Sequence, residues 1–270
     1  MSAPAADDAA SRLQATAARW EKLEEVVKLV TREPDAKALF NKYTVIRSVV
    51  GEVKPVFSDA LQIRSKVFYD KHGAVSQAEC DDFDAVSVHV VMYFNYTLFS
   101  EEMEELVVQA RLLKSIGMEG SGLRFQHRKK NVSVAGVDTR YPAHGARRVT
   151  VMRTPEANYK APVLIPVGCM RLRRAAKAPR AGKLLEVVAR MERLCVVATA
   201  RNFDIGRALM AAAEDIARDA CHVRWALLYT PLDAREFYIK VGYVAKDGWV
   251  FYKGQKPFLA MIKCLADASL

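Results

Sequence analysis

The chain has 270 residues, 51% hydrophobic and 27% charged, with a formal net charge of +10. That balance suits a soluble globular protein of one large or two small domains. No run approaches the roughly 20 apolar residues of a membrane span, and the acidic start Met-Ser-Ala-Pro-Ala-Ala-Asp-Asp is unlike a basic secretory or mitochondrial leader, so a cytoplasmic protein with no membrane partner is expected. The five cysteines, Cys80, Cys169, Cys195, Cys221 and Cys264, are scattered without C-x-x-C spacing, which signals neither a disulfide framework nor a metal site.

From Ala9 to Val30, Leu13, Ala17, Trp20, Leu23, Val27 and Val30 recur at helical spacing, and Pro34 closes the pattern. A short strand follows at Tyr43 to Arg47, then a helix from Pro55 to about Gly73 carrying Val56, Ala60, Ile63 and Val67. The acidic loop Glu79 to Asp84 reads as a loop cap or an attractor of cationic amines, and precedes a buried strand at Val86 to Tyr93. Ser100 followed by acidic residues predicts a capped helix to about Gly117. Regularity then fades from 120 to 158, apart from a candidate strand at Val149 to Met152, and returns with strands at Ala161 to Leu172 and Ala189 to Val197. A helix from Ile205 to Ala220, a strand at Trp225 to Tyr229, a helix from Asp233 to Val241 and strands at Trp249 to Tyr252 and Phe258 to Ile262 complete the series. This alternation predicts a mixed α/β sheet.

The charge is regional. Between Gly120 and Arg180 there are fourteen Lys and Arg against Asp138 and Glu156 alone, which leaves open a nucleic-acid surface, a site for acidic molecules, or a solvated loop.

The most informative stretch is Leu194 to Met210. An apolar strand passes through the turn Arg201-Asn-Phe-Asp-Ile-Gly206 into a helix, and the first N–H groups of a helix lack intrahelical acceptors, so the turn forms an anion cradle. A phosphate-bearing ligand is expected there.

These residues resemble the GNAT superfamily of acetyl-CoA-dependent N-acetyltransferases. Arg201-Asn-Phe-Asp-Ile-Gly206 stands where that family has Arg/Gln-x-x-Gly-x-Gly/Ala, and Phe237-Tyr-Ile-Lys-Val-Gly-Tyr243 is similar to its Phe-Tyr-x-x-x-Gly-Phe. Upstream, Leu61 to Phe68, Asp81 to Asp84 with His89, and Pro166 to Leu172 match a pattern known from small members. The resemblance implies a mostly antiparallel central sheet flanked by helices over 43–265, with an N-terminal helical extension at 1–42, a basic insertion at 94–158 between the second and third strands, and a tail at 266–270. It also implies acetyl-CoA as co-substrate and direct attack on the thioester by a small-molecule or peptide amine.

On that resemblance Tyr238 is the candidate donor to the departing thiolate, and Glu192 the candidate base, with a salt-bridged Glu192 beside Arg190 and Arg193 as the alternative. The backbone of Cys195, Val196 and Val197 would pair with the pantetheine amides, and Arg201, Asn202, Phe203, Asp204, Ile205, Gly206 and Arg207 would surround the pyrophosphate. His89 reads as a structural histidine. The turn departs from the pattern, because Asp204 replaces the central glycine and Asn202 stands where glycine is usual. An Asp at a helix start is a natural N-cap for the amides of Gly206 or Arg207; its charge about 4 Å from a phosphate would cost on the order of 4 kcal/mol at an effective dielectric near 20. A second reading therefore stays open at this stage: a binding module with its cradle closed by Asp204, whose stretch 120–180 contacts RNA or an acidic partner.

Overall fold

The computed structural model describes residues 4–72, 80–115, 161–177 and 186–265. Most of the basic stretch and the candidate strand at 149–152 lie outside the described residues. Of those described, 4–45, 93–115 and 161–165 form one compact unit, and 46–72, 80–92, 166–177 and 186–265 form another. The expected N-terminal extension and the first part of the expected insertion thus fall in the same unit.

In the first unit, α1 (Pro4–Val30) buries Leu23, Val26 and Val30 on one face. After the break at Pro34 the chain forms α2 (Ala36–Lys42), whose seven residues are too few to show periodicity. α4 (Tyr96–Ser115) begins a turn earlier than Ser100, because the Asn95 side chain accepts the Leu98 N–H at 3.2 Å and acts as the cap. Ser100 lies inside the helix and donates to the Thr97 carbonyl at 3.0 Å. Phe40, Tyr43, Phe94 and Phe99 make one aromatic cluster, with Phe40–Phe94 centroids 4.8 Å and Tyr43–Phe99 centroids 5.3 Å apart. Edge-to-face pairs of this kind add to plain area burial.

Seven strands, β1 (Thr44–Val50), β2 (Val88–Asn95), β3 (Leu164–Lys177), β4 (Glu186–Val196), β5 (Trp225–Pro231), β6 (Val244–Lys253) and β7 (Lys256–Cys264), form a sheet in the order β1-β2-β3-β4-β5-β7-β6. The β3–β4, β5–β7 and β6–β7 pairs are antiparallel and β4–β5 is parallel, as the resemblance implied. Phe94 and Asn95 complete β2, so the expected insertion cannot begin at 94.

Most of the sheet belongs to the second unit, with α3 (Val56–His72), α5 (Ile205–Asp215) and α6 (Arg235–Lys240). α3 buries Val56, Phe57, Ala60, Ile63 and Arg64. α5 buries Ile205, Leu209, Ala212 and Ala213, the i, i+4, i+7, i+8 stripe of a helix laid on a sheet. The predicted continuous helix to Ala220 instead ends in a π-helical turn, Ile216–Ala220, with Cys221 N–H bonded to the Ile216 carbonyl at 3.0 Å.

Candidate active site at the fork between β4 and β5

β4 and β5 pair only from Ala189↔Ala226 to Met191↔Leu228, although β4 runs on to Val196 and β5 to Pro231. The cause is local. The β3–β4 register slips between Cys169 and Arg171, which face Cys195 and Glu192, so β4 carries one extra residue there. Arg193 sits in that bulge at φ 56°. A bulge bends its strand and leaves it locally unpaired, which opens a fork between β4 and β5. Nothing in the residue pattern signalled this, since a bulge is a property of two strands in register.

Beyond the bulge, Val197 N–H bonds to the Val167 carbonyl of β3 at 3.1 Å. Backbone groups of successive strand residues point to opposite edges, so Val196 presents its amide and carbonyl to the fork. This refines the expectation for residues 195–197, in which all three were to meet a ligand: Val197 N–H is already committed to β3. The Val196 carbonyl accepts Arg201 Nε at 3.3 Å, so Arg201 covers the strand end as well as bordering the cradle.

The turn after β4 reaches the helix through two left-handed residues, Asn202 at φ 69° and Asp204 at φ 59°. Both stand where the resembled pattern places glycine. Asn and Asp are the side chains that tolerate this conformation best, so the glycine-type turn is preserved without glycine. Phe203 and Ile205 are buried and pin the turn, while Arg201, Asn202, Asp204 and Arg207 are exposed. The predicted cap is absent. Asp204 occupies the N-cap position of α5 but its side chain makes no capping hydrogen bond, because in the left-handed region it is carried off the extended geometry from which an N-cap reaches back. Its carbonyl starts the helix by accepting Ala208 N–H at 3.0 Å. The cradle amides of Ile205, Gly206 and Arg207 are therefore not closed by Asp204.

Two glycines fix the cradle against its neighbours. A Cβ on Gly168 would meet Ile205 Cγ2 and Leu209 Cδ1 at 2.9 Å and the Cys195 carbonyl at 3.1 Å, so only glycine lets α5 settle this close to β3. A Cβ on Gly206 would meet the Phe237 ring at 3.3 Å and Val196 Cγ2 at 3.9 Å. Gly206 thus joins the end of β4, the start of α5 and α6 at one point.

α6 is short and ends in a Schellman motif: Gly242, at φ 93°, bonds through N–H to the Ile239 carbonyl and Tyr243 N–H to the Tyr238 carbonyl, both at 2.9 Å. The Phe-Tyr-x-x-x-Gly-Tyr spacing is explained by this motif, since it puts glycine at the left-handed position and stacks Tyr243 on Tyr238 edge to face, centroids 6.1 Å apart. The Tyr238 phenol is pushed up to about 12 by burial, with Cys195 adding to the rise. The contacts of Gly206 with Phe237 and Val196 place the start of α6 beside the far end of β4.

Glu192 occupies a different setting from that of a base. Its carboxylate takes Arg171 at 2.8 Å, Arg173 at 3.3 Å and Arg190 at 3.4 Å, so its lone pairs are directed at guanidiniums. This is the salt-bridged alternative, with Arg171 and Arg173 in place of Arg193, which pairs with Asp81 at 3.1 Å. The acidic loop is turned inward. Asp81 pairs with Arg171 and Arg193, and fully buried Asp84 lies between Arg64 at 2.9 Å and Arg171 at 3.0 Å. The reading of the loop as an attractor of cationic amines is corrected for these two carboxylates. Arg64 also meets His89 Nδ1 at 3.1 Å, and His89 Nε2 lies 2.9 Å from the Asp84 carbonyl. That geometry suits a neutral imidazole accepting at Nδ1 and donating at Nε2; burial holds its pKa below the usual value. His89 is structural, as expected.

Residues 161–245 match the model of the family described as the acetyltransferase (GNAT) domain. The match spans less than half of the chain and makes this segment similar to a GNAT domain. The segment contains β3, β4, the turn, α5, β5 and α6, and so the fork and the turn, while Arg64, Asp81, Asp84 and His89 lie outside it. No curated protein sequence matches the chain. Among solved structures, an acyl-CoA N-acyltransferase from Pseudomonas aeruginosa is similar at 15% identity and TM-score 0.44, over 82% of this chain and 99% of that one. Escherichia coli ElaA is similar at 12% identity and TM-score 0.44 over the same shares. Arabidopsis thaliana NAA60, solved with a bisubstrate analogue, is similar at 12% identity and TM-score 0.43, over 82% of this chain and 98% of that one. Among the described residues no helix is long and apolar enough to cross a membrane.

Proposed function

We propose that this protein is an N-acetyltransferase that moves an acetyl group from acetyl-CoA to the amine of a small molecule or peptide. The observation that carries the reading is the convergence at Gly206: the fork-facing edge of Val196, the open amides at the start of α5, and α6 with its protonated tyrosine meet around one glycine. A cradle of backbone donors at a helix start suits a pyrophosphate, and Arg201 and Arg207 add charge beside it. Bound acetyl-CoA would supply the thioester carbonyl that an amine attacks.

In this reading Val196 holds the ligand by strand-like backbone pairing, which requires Arg201 to release or share the Val196 carbonyl. Tyr238 keeps its proton at neutral pH and would deliver it from Oη to the leaving sulfur as the C–S bond breaks, and the proton released by the newly acylated nitrogen, carried by solvent, would restore the phenol. Phe237 and Tyr243 hold that phenol in place. Glu192 acts by aligning Arg171, Arg173 and Arg190. The binding-module alternative required Asp204 to occupy the cradle amides, and the side chain does not cap them. Calorimetric titration with acetyl-CoA tests the proposal: saturable binding that is lost in Gly206→Val supports it, and no heat of binding in the folded wild type overturns it.

A further inference from the structure

Arg64, Arg171 and Arg193 meet Asp81 and Asp84, while Glu192 is shared by Arg171, Arg173 and Arg190. Arg173 and Arg190 face each other directly across β3 and β4, and like charges in that position repel. Only Glu192 lies between them, and both reach it through Nε: Arg173 at 3.3 Å, Arg190 at 3.4 Å with its buried Nε making no hydrogen bond. Each guanidinium also lies over an aromatic ring, Arg173 on Phe83 at 4.1 Å and Arg190 on Tyr229 at 4.0 Å. Those rings remain 48% and 41% exposed. Phe251 extends the row, packed edge to face on Tyr229 at 5.1 Å.

The row crosses the sheet where the fork opens, since Tyr229 is the first residue of β5 beyond its last pairing with β4. A stacked guanidinium has its planar edge directed along the ring surface, the geometry that receives a carboxylate through two parallel hydrogen bonds. We infer that Arg173 and Arg190, with Phe83 and Tyr229 beneath them, form the acceptor subsite and select amines that carry a carboxylate next to an apolar or planar group, and that they exclude polyamines by charge. A second anion between the arginines would relieve the repulsion that Glu192 alone leaves. Its place at the fork rests on the transferase reading; the charge preference itself does not.

Binding measured without any thioester keeps the two apart. The probes are the tripeptide Ala-Glu-Phe, its counterpart without carboxylates Ala-Gln-Phe amide, spermidine and an oligouridylate. Wild type should bind Ala-Glu-Phe about tenfold or more tightly than the peptide without carboxylates, at least the ratio expected for one charge-assisted pair, and Arg173→Gln and Arg190→Gln should each remove most of that ratio. Tyr229→Leu keeps both charges and should weaken binding severalfold, so a folding failure of an arginine variant leaves the idea exposed to test. Equal affinity for the two peptides, tighter binding of spermidine, an unaltered affinity in Tyr229→Leu, or tighter binding of oligouridylate through the same arginines would each overturn it. Peptide selectivity in a protein that binds no acetyl-CoA would uphold the subsite while sinking the transferase assignment.

Discussion

In the proposed reaction Tyr238 and Asp204 pull in opposite directions. There the phenol would serve because it is reluctant to ionise, and burial provides that reluctance. Tyr238→Phe should lower kcat by about a hundredfold, within the range for loss of one proton donor, and leave the acetyl-CoA Kd nearly unchanged; an equal effect on both would mean that the residue only packs. Because the phenol stays protonated until about 12, the wild-type pH profile should rise as the amine deprotonates and then hold level through the alkaline range. Asp204 lies exposed beside the proposed anion cradle. Its repulsion is therefore screened, and smaller than the fully paired Coulomb figure. Asp204→Asn removes the charge and keeps a side chain suited to the left-handed turn. It should tighten coenzyme A binding at low ionic strength and lose that advantage in concentrated salt, as titrations at two salt concentrations would show.

The strands and helices that carry the site were largely readable from the chain, and what escaped was pairwise. β3, β4, β5, β7 and α5 lie close to where apolar runs and helical spacing put them, because each buries apolar residues, whereas α6 buries none. The turn before α5 and the Phe-Tyr-x-x-x-Gly-Tyr segment were readable in position, the first as a break between strand and helix and the second by resemblance, but the left-handed backbone at Asn202 and Asp204 was not. A salt-bridged Glu192 beside Arg190 was readable as an alternative, but the bulge at Arg193, the partners Arg171 and Arg173 of Glu192 and the absence of a cap on Asp204 were not. Each depends on which residue lies across from which, or on a backbone angle that inverted the usual role of an N-terminal aspartate. The same dependence makes Gly168 a sensitive position. Gly168→Ala should destabilise by about 1–3 kcal/mol, as overpacking does, and should weaken acetyl-CoA binding by shifting the start of α5. Denaturant midpoints alongside calorimetry would check it; a stability loss with unaltered affinity would separate the helix from the cradle.

At the scale of the whole molecule, the buried ion network ties α3, the loop before β2, β3 and β4 into one acid-sensitive assembly. Arg171 and Arg193 hold the Asp81 carboxyl well below the usual carboxylate range, and although burial alone would raise Asp84, its backbone and arginine partners bring it below as well. A depressed carboxylate contributes stability that is complete above its unfolded pKa and is lost as pH falls toward the folded value. His89, also depressed, contributes in the same direction: the unfolded imidazole takes up its proton first, near pH 6.5, so stability begins to fall below that point. Urea midpoints should therefore drop between neutral and mildly acidic pH through His89, then further below about pH 4 through the aspartates. His89→Gln should flatten the first drop and leave the second. An unchanged first drop in that variant would assign the titration elsewhere.

The turn built from Asn202 and Asp204 has one more consequence. Two side-chain-bearing residues in the left-handed basin have fewer alternative conformations than two glycines, so the donors of the cradle are held in position before any ligand arrives. Association then sacrifices little chain freedom. In concentrated salt, where the Asp204 charge is screened, replacing both residues by glycine should leave the heat of coenzyme A binding almost as it was and make its entropy more unfavourable, a trade that a stiff hinge shows and a slack one cannot.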